Sequence, residues 1–193
     1  MMIRLKRFFT IMVCIVMLSF LSSCFGAPLV EEKGGIKPPE EEKVEEAQKE
    51  LSNINLQELS PIKEEVHQLH LIMNNLTGWG QLGKYKDKSG SGWETVASYL
   101  AGENSIVDRV YDIIAKIDSE TLKQDLEAFA LAFEKAYEKK DIDLLLLAHR
   151  IVHDLDYWVF NYKTVSGGSR NYWGVTVTLE GDKASAKEVL NLK

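Results

Sequence analysis

The residues best suited to chemistry are the four histidines, which fall in two pairs. His149 and His153 stand four apart with Asp156 three further on, so on a helix they lie one turn above another along one face. His67 and His70 form a second pair, three apart, in an earlier segment. Two imidazoles at this spacing can reach one ion, and a carboxylate a turn along becomes a third ligand or orients a ring. If the two segments pack side by side, His67, His70, His149, His153 and Asp156 converge on a divalent transition metal. Zinc, copper and iron all accept such donors. The competing reading is two ordinary histidine pairs, partly buried or hydrogen-bonded on helix surfaces. No glutamate lies between His149 and His153, so this is not the zinc-protease pattern.

Nothing else in the chain has the form of a catalytic set. Ser91, Ser166 and Ser169 lie in glycine-rich turns without the strand–turn–helix unit that exposes a nucleophile. Asp154 and Asp156 diverge by about 200° on a helix, poor geometry for shared acid–base work. The sequence therefore points to binding rather than catalysis. Trp79, Trp93, Trp158 and the Tyr172–Trp173 pair supply aromatic faces that could meet a small ligand or a partner at one end of the molecule. The plainer alternative is that they seal that end.

The element that must position the second histidine pair is Asp141 to Phe160. It is apolar on two faces, with only Asp143, Arg150, Asp154 and Tyr157 left for water, and so belongs inside a bundle. Ser60–Pro61 reads as a helix start leading through Ile62, Val66, Leu69, Met73 and Leu76 to Gly78. A glycine- and lysine-rich loop follows to Gly92. Residues from Trp93 to Ile117 form one kinked helix or two, with Ser105 as a cap. Leu122 to Tyr137 is cleanly amphipathic after Ser119, and Asp141 caps the central helix. About four antiparallel helices joined by short links predict a mainly α bundle, with the first and last helices adjacent. Alternation across Tyr172 to Leu179 predicts a strand, paired with 161–165 in a small C-terminal β-hairpin or left as an extended segment.

The beginning of the chain concerns location. Arg4, Lys6 and Arg7 precede an uncharged run from Phe8 to Leu21, which ends in Leu21-Ser22-Ser23-Cys24. This resembles the lipobox of bacterial lipoproteins. The resemblance covers only the export segment. It implies cleavage before Cys24, diacylglycerol on the Cys24 sulfur and acylation of the freed amine, which would hold the protein on the outer face of the cell membrane or at the outer membrane. Cys14 would leave with the leader, so a mature chain would carry Cys24 alone and no disulfide. Loss of Arg4, Lys6 and Arg7 takes the formal charge from −6 to −9, which disfavours a nucleic-acid partner. The expected partners are the membrane, through the lipid, and an envelope protein or small ligand. The expected layout is a leader over 1–23, an acidic tether over 24–59 whose stretch Glu40 to Leu51 forms at most a few exposed helical turns, and a helical domain over 60–193.

Overall fold

The computed structural model describes residues 37–78, 80–162, 171–181 and 185–192. Among them are seven α-helices: α1 (Glu41–Leu51), α2 (Leu56–Thr77), α3 (Ser91–Ser98), α4 (Ile106–Ile114), α5 (Glu120–Lys139), α6 (Ile142–Asp154) and α7 (Ser185–Leu190). Short 3₁₀ turns at Gln81–Tyr85 and Gly102–Asn104 link them, and α6 runs on as a π-helix over Leu155–Phe160.

The central position of α6 follows from its composition. It packs against α2 on one side and α5 on the other, while α4 and α7 pack on α5. Asp141 starts it by accepting from the backbone N–H groups of Asp143 and Leu144. Leu145, Ala148, Ile151, Val152 and Leu155 are fully enclosed, and Phe129 and Phe133 of α5 fill the opposite wall. Burial of each such large side chain stabilises the fold by about 1.5–3 kcal/mol. Ser119 caps α5 and Ser105 caps α4, as their sequence positions predict. The region from Trp93 onward is two helices, separated by the 3₁₀ turn.

Three sequence expectations are corrected. First, Ser60–Pro61 lies inside α2, which begins five residues earlier than Pro61 under a cap from Asn55, whose side chain accepts from Gln57 N–H at 2.9 Å. Proline there has no N–H to give, so the Gln57 carbonyl goes without its usual donor four residues on. Second, the acidic stretch is no exposed pair of turns. Helix α1 buries Val44, Ala47 and Leu51, Ile54 follows them into the core, and α1 packs on the π-helical segment. Its three apolar residues are few but fall on one face, which suffices for docking.

Third, the C-terminal β-hairpin is not formed: no strand occurs among the described residues. Of the expected partner, 161–165, residues 163–165 lie outside them. The segment 171–181 runs without regular secondary structure to a turn at 177–180, with Gly174 at φ 64, and four of its backbone donors go to carboxylates rather than to a second strand. Asp154 accepts from Trp173 N–H at 3.0 Å and Val175 N–H at 3.4 Å, and Asp125 of α5 accepts from Val177 at 2.7 Å and Thr178 at 2.9 Å. Gly181 closes the segment by approaching Gly174 so closely that a Cβ would meet the Gly174 carbonyl at 2.2 Å. Among the described residues the fold is thus a mainly α bundle of seven helices with an irregular C-terminal strap, in place of about four helices and a hairpin or extended segment.

Candidate functional site

The two histidine pairs meet. Helices α2 and α6 lie side by side, so His67, His70 and Thr77 face His149, His153, Asp156 and Tyr157. His70 is the hub. Its ring centroid is 5.5 Å from that of His149, 5.0 Å from His153 and 4.8 Å from Tyr157. His153 also packs on Tyr157 at 4.6 Å and reaches Trp173 of the strap at 6.3 Å.

The hydrogen bonds fix the chemistry of each ring. One oxygen of the buried Asp156 accepts from His70 Nδ1 at 2.7 Å and from His67 Nδ1 at 3.0 Å. Its other oxygen accepts from Asn161 Nδ2 at 2.7 Å, and the same amide also donates to Lys63 C=O. A carboxylate only accepts, so neutral His70 carries its proton on Nδ1 and a bare lone pair on Nε2. Thr77 gives its hydroxyl proton to Met73 C=O at 3.0 Å, so Thr77 Oγ1 accepts from His149 Nδ1–H at 2.7 Å. His149 is therefore in the same tautomer. The Nε2 atoms of His70 and His149 are both buried with no hydrogen-bond partner among the described residues.

Burial and neighbouring charge set the proton affinities. Burial lowers the pKa of His70; the Asp156 hydrogen bond opposes this, and His153 adds to it. His149 is pushed down to about 3, first by burial and then by His70, His153 and Arg150. Burial raises Asp156, but the bonds from His70, His67 and Asn161 outweigh it and hold the carboxyl below its ordinary value. Asp125, behind the strap, is raised to about 6 by burial and by Asp154, against the backbone bonds it accepts.

These contacts overturn the metal expectation. Among the described residues, no group of three or more histidine, cysteine, aspartate or glutamate side chains is arranged to hold an ion. His67, His70, His149, His153 and Asp156 are neighbours, but they are not a zinc, copper or iron centre. The Asp156 oxygen facing the pair on α2 is occupied by two imidazole donors, and the Nδ1 of His149 is spent on Thr77. The lone pairs left over at buried Nε2 atoms number two, short of a ligand set.

The aromatic residues divide between two places. Trp93 is buried near the start of α6, donating Nε1–H to Tyr85 C=O at 3.0 Å and lying under Lys140 Nζ at 5.5 Å. Trp158 is buried at the far end of the same run of helix, in the π-helical segment, and donates to Asn171 C=O at 2.9 Å. Tyr172 packs on Trp158 and lines a groove of about 290 Å³ between the strap and Lys37, Pro38, Pro39 and Lys43. Trp173 is half-buried under the Arg150 guanidinium at 4.8 Å. Trp79 lies outside the described residues, as does Cys24.

Sequence reasoning missed Thr77, Tyr157, Asp154 and Asp125. Tyr157, eight residues from His149 on the same helix face, carried a signal; Asp154, placed toward water by its position on the helix, is fully enclosed because the strap covers it. No helix among the described residues is long and apolar enough to cross a membrane. Set against known protein families, curated proteins and solved structures, the chain matches none of them.

Proposed function

We propose that this protein is a lipid-anchored, extracytoplasmic binding module, held through Cys24 and meeting a partner or small ligand with its C-terminal strap. The anchoring half of this reading rests on the order of charge, apolar run and Leu21-Ser22-Ser23-Cys24. The binding half rests on one observation: of the four described aromatic candidates, Trp173 alone keeps part of its ring at the surface, beside Arg150 and over the histidine cluster. A tryptophan and an arginine side by side are the residue types that most often anchor recognition surfaces. Trp93, Trp158 and Tyr172 belong to the core, which narrows the contact region among the described aromatic candidates to Trp173. An anchored module also meets envelope components at raised local concentration, so weak contacts suffice.

The test is site-specific photocrosslinking on intact cells, with the photoreactive residue at Trp173 and, as a buried control, at Trp93. A discrete adduct from position 173 that is absent from position 93, and that is lost when Cys24→Ala removes the anchor, is the expected result. Equal or no adducts from both positions would defeat the binding reading. An adduct unchanged by Cys24→Ala would defeat the anchoring.

A further inference from the structure

We propose that His149 is the trigger of an acid-operated latch between α2 and α6, a proton at its buried ring parting the two helices at the Thr77 end. This inference does not depend on the anchoring or binding reading above.

The geometry leaves one place for that proton. His149 Nδ1–H is committed to Thr77 Oγ1 on α2, so only Nε2 can take it up, and Nε2 is buried without a partner among the described residues. The titratable and charged groups around it come from every packed element. Helix α2 presents His70, with His67 beyond it; α6 presents Arg150, His153 and Asp154; the π-helical segment presents Asp156 and Tyr157. The strap contributes Trp173, through His153, and α5 contributes Asp125, which faces Asp154.

Those facing His149 directly are bases: His70 at 5.5 Å, His153 at 6.2 Å, and Arg150. Both nearby carboxylates are already engaged, Asp156 by His67, His70 and Asn161, and Asp154 by Trp173, Val175 and His153. An imidazolium at position 149 would thus be a buried cation with no counter-charge.

Relief is available in one direction. The two helices are joined at the other end of the cluster by two hydrogen bonds, from His67 and His70 to the Asp156 carboxylate. At the Thr77 end, among the described residues, the side-chain link is one hydrogen bond to a neutral hydroxyl, which offers a charged ring no counter-charge. Moving the last turns of α2 away admits water to His149 while Asp156 keeps the far end closed. A histidine with an ordinary pKa near 6.5 when open, and held to about 3 when closed, shifts the equilibrium toward the open form about tenfold between pH 7.5 and pH 5.5.

Hydrogen exchange of the full chain in detergent micelles at the two pH values, each corrected for intrinsic exchange, tests this. Amides of 73–77 and 145–149 are expected to lose about tenfold protection at pH 5.5, while those at 66–70 and within α5 do not change. His149→Asn keeps an amide N–H for Thr77 and removes Nε2, and should abolish the acid loss. Thr77→Asp supplies the missing counter-charge, and should make the same amides better protected at pH 5.5 than at pH 7.5. Unchanged protection of the wild type at pH 5.5 overturns the proposal, as does an acid loss that persists in either variant. Should His149→Asn not fold, the wild-type and Thr77→Asp measurements decide.

Discussion

A buried carboxylate that takes two imidazole protons and an amide proton stabilises its site only while those donors stay in place. Asp156→Asn keeps the shape but replaces one accepting oxygen with a donor that meets donors already there. Breaking a buried pair in this way costs on the order of 3 kcal/mol, and urea unfolding at pH 7 is the measurement. The pH profile carries the sign. Asp156 is held below its ordinary value, so its contribution is present at neutral pH and is lost as pH falls through the folded value. His149 acts in the same direction but earlier: its neutral form favours the fold above pH 6.5, and that stability drains away as pH falls toward about 3. Asp125 acts oppositely, since its raised pKa gives a contribution that is lost as pH rises from 3.8 to about 6. In Asp156→Asn the steepest acid limb should therefore flatten while the His149 limb stays. The histidine pairing was legible because helical spacing and neighbouring helices are both sequence properties. The tautomers were not, because they are set by Thr77 and Asp156 across an interface that spacing does not describe. Nothing in the sequence around Thr77 marks it as the partner of a histidine 72 residues away.

The strap and α1 show where pattern reading stops. Both are short, and each takes its place from another element rather than from its own propensity. Alternation across Tyr172 to Leu179 predicts a strand, but it cannot say whether the donors go to a partner strand or to side chains, and the segment forms no strand. Here they go to Asp154 and Asp125, residues that helix wheels assign to water or leave unremarked. Asp154→Ala leaves the amides of Trp173 and Val175 without acceptors, at about 1–3 kcal/mol for each buried donor. The expected outcome is faster exchange and protease cleavage within 171–181 while α2, α5 and α6 keep their protection. Cleavage spread evenly over the chain would instead make Asp154 a support of the whole core.

Helix α1 moves the boundary of the folded unit. A chain beginning at residue 37 should unfold cooperatively with nearly full stability. One beginning at residue 55 loses Val44, Ala47, Leu51 and Ile54 from the core, together with the Glu50 carboxylate that accepts from Ser119 and Thr121 at the start of α5. Three large apolar side chains at about 1.5–3 kcal/mol each predict a loss of about 4 kcal/mol or more, read as the difference in urea midpoint between the two chains. Equal midpoints would mean that α1 rests on the molecule without supporting it. The bundle itself was readable because caps and apolar stripes recur at each principal helix, whereas the acidic composition of α1 concealed its one buried face. The strap bears on the molecule in another respect. An extended segment with open amides is a template on which a second chain can add itself as a strand. In 171–181 the amides of Trp173, Val175, Val177 and Thr178 are already taken by two carboxylates belonging to the bundle. A bundle that ends in β-prone sequence thereby keeps that edge closed to its neighbours, and crowded copies stay separate for as long as Asp125 and Asp154 hold on.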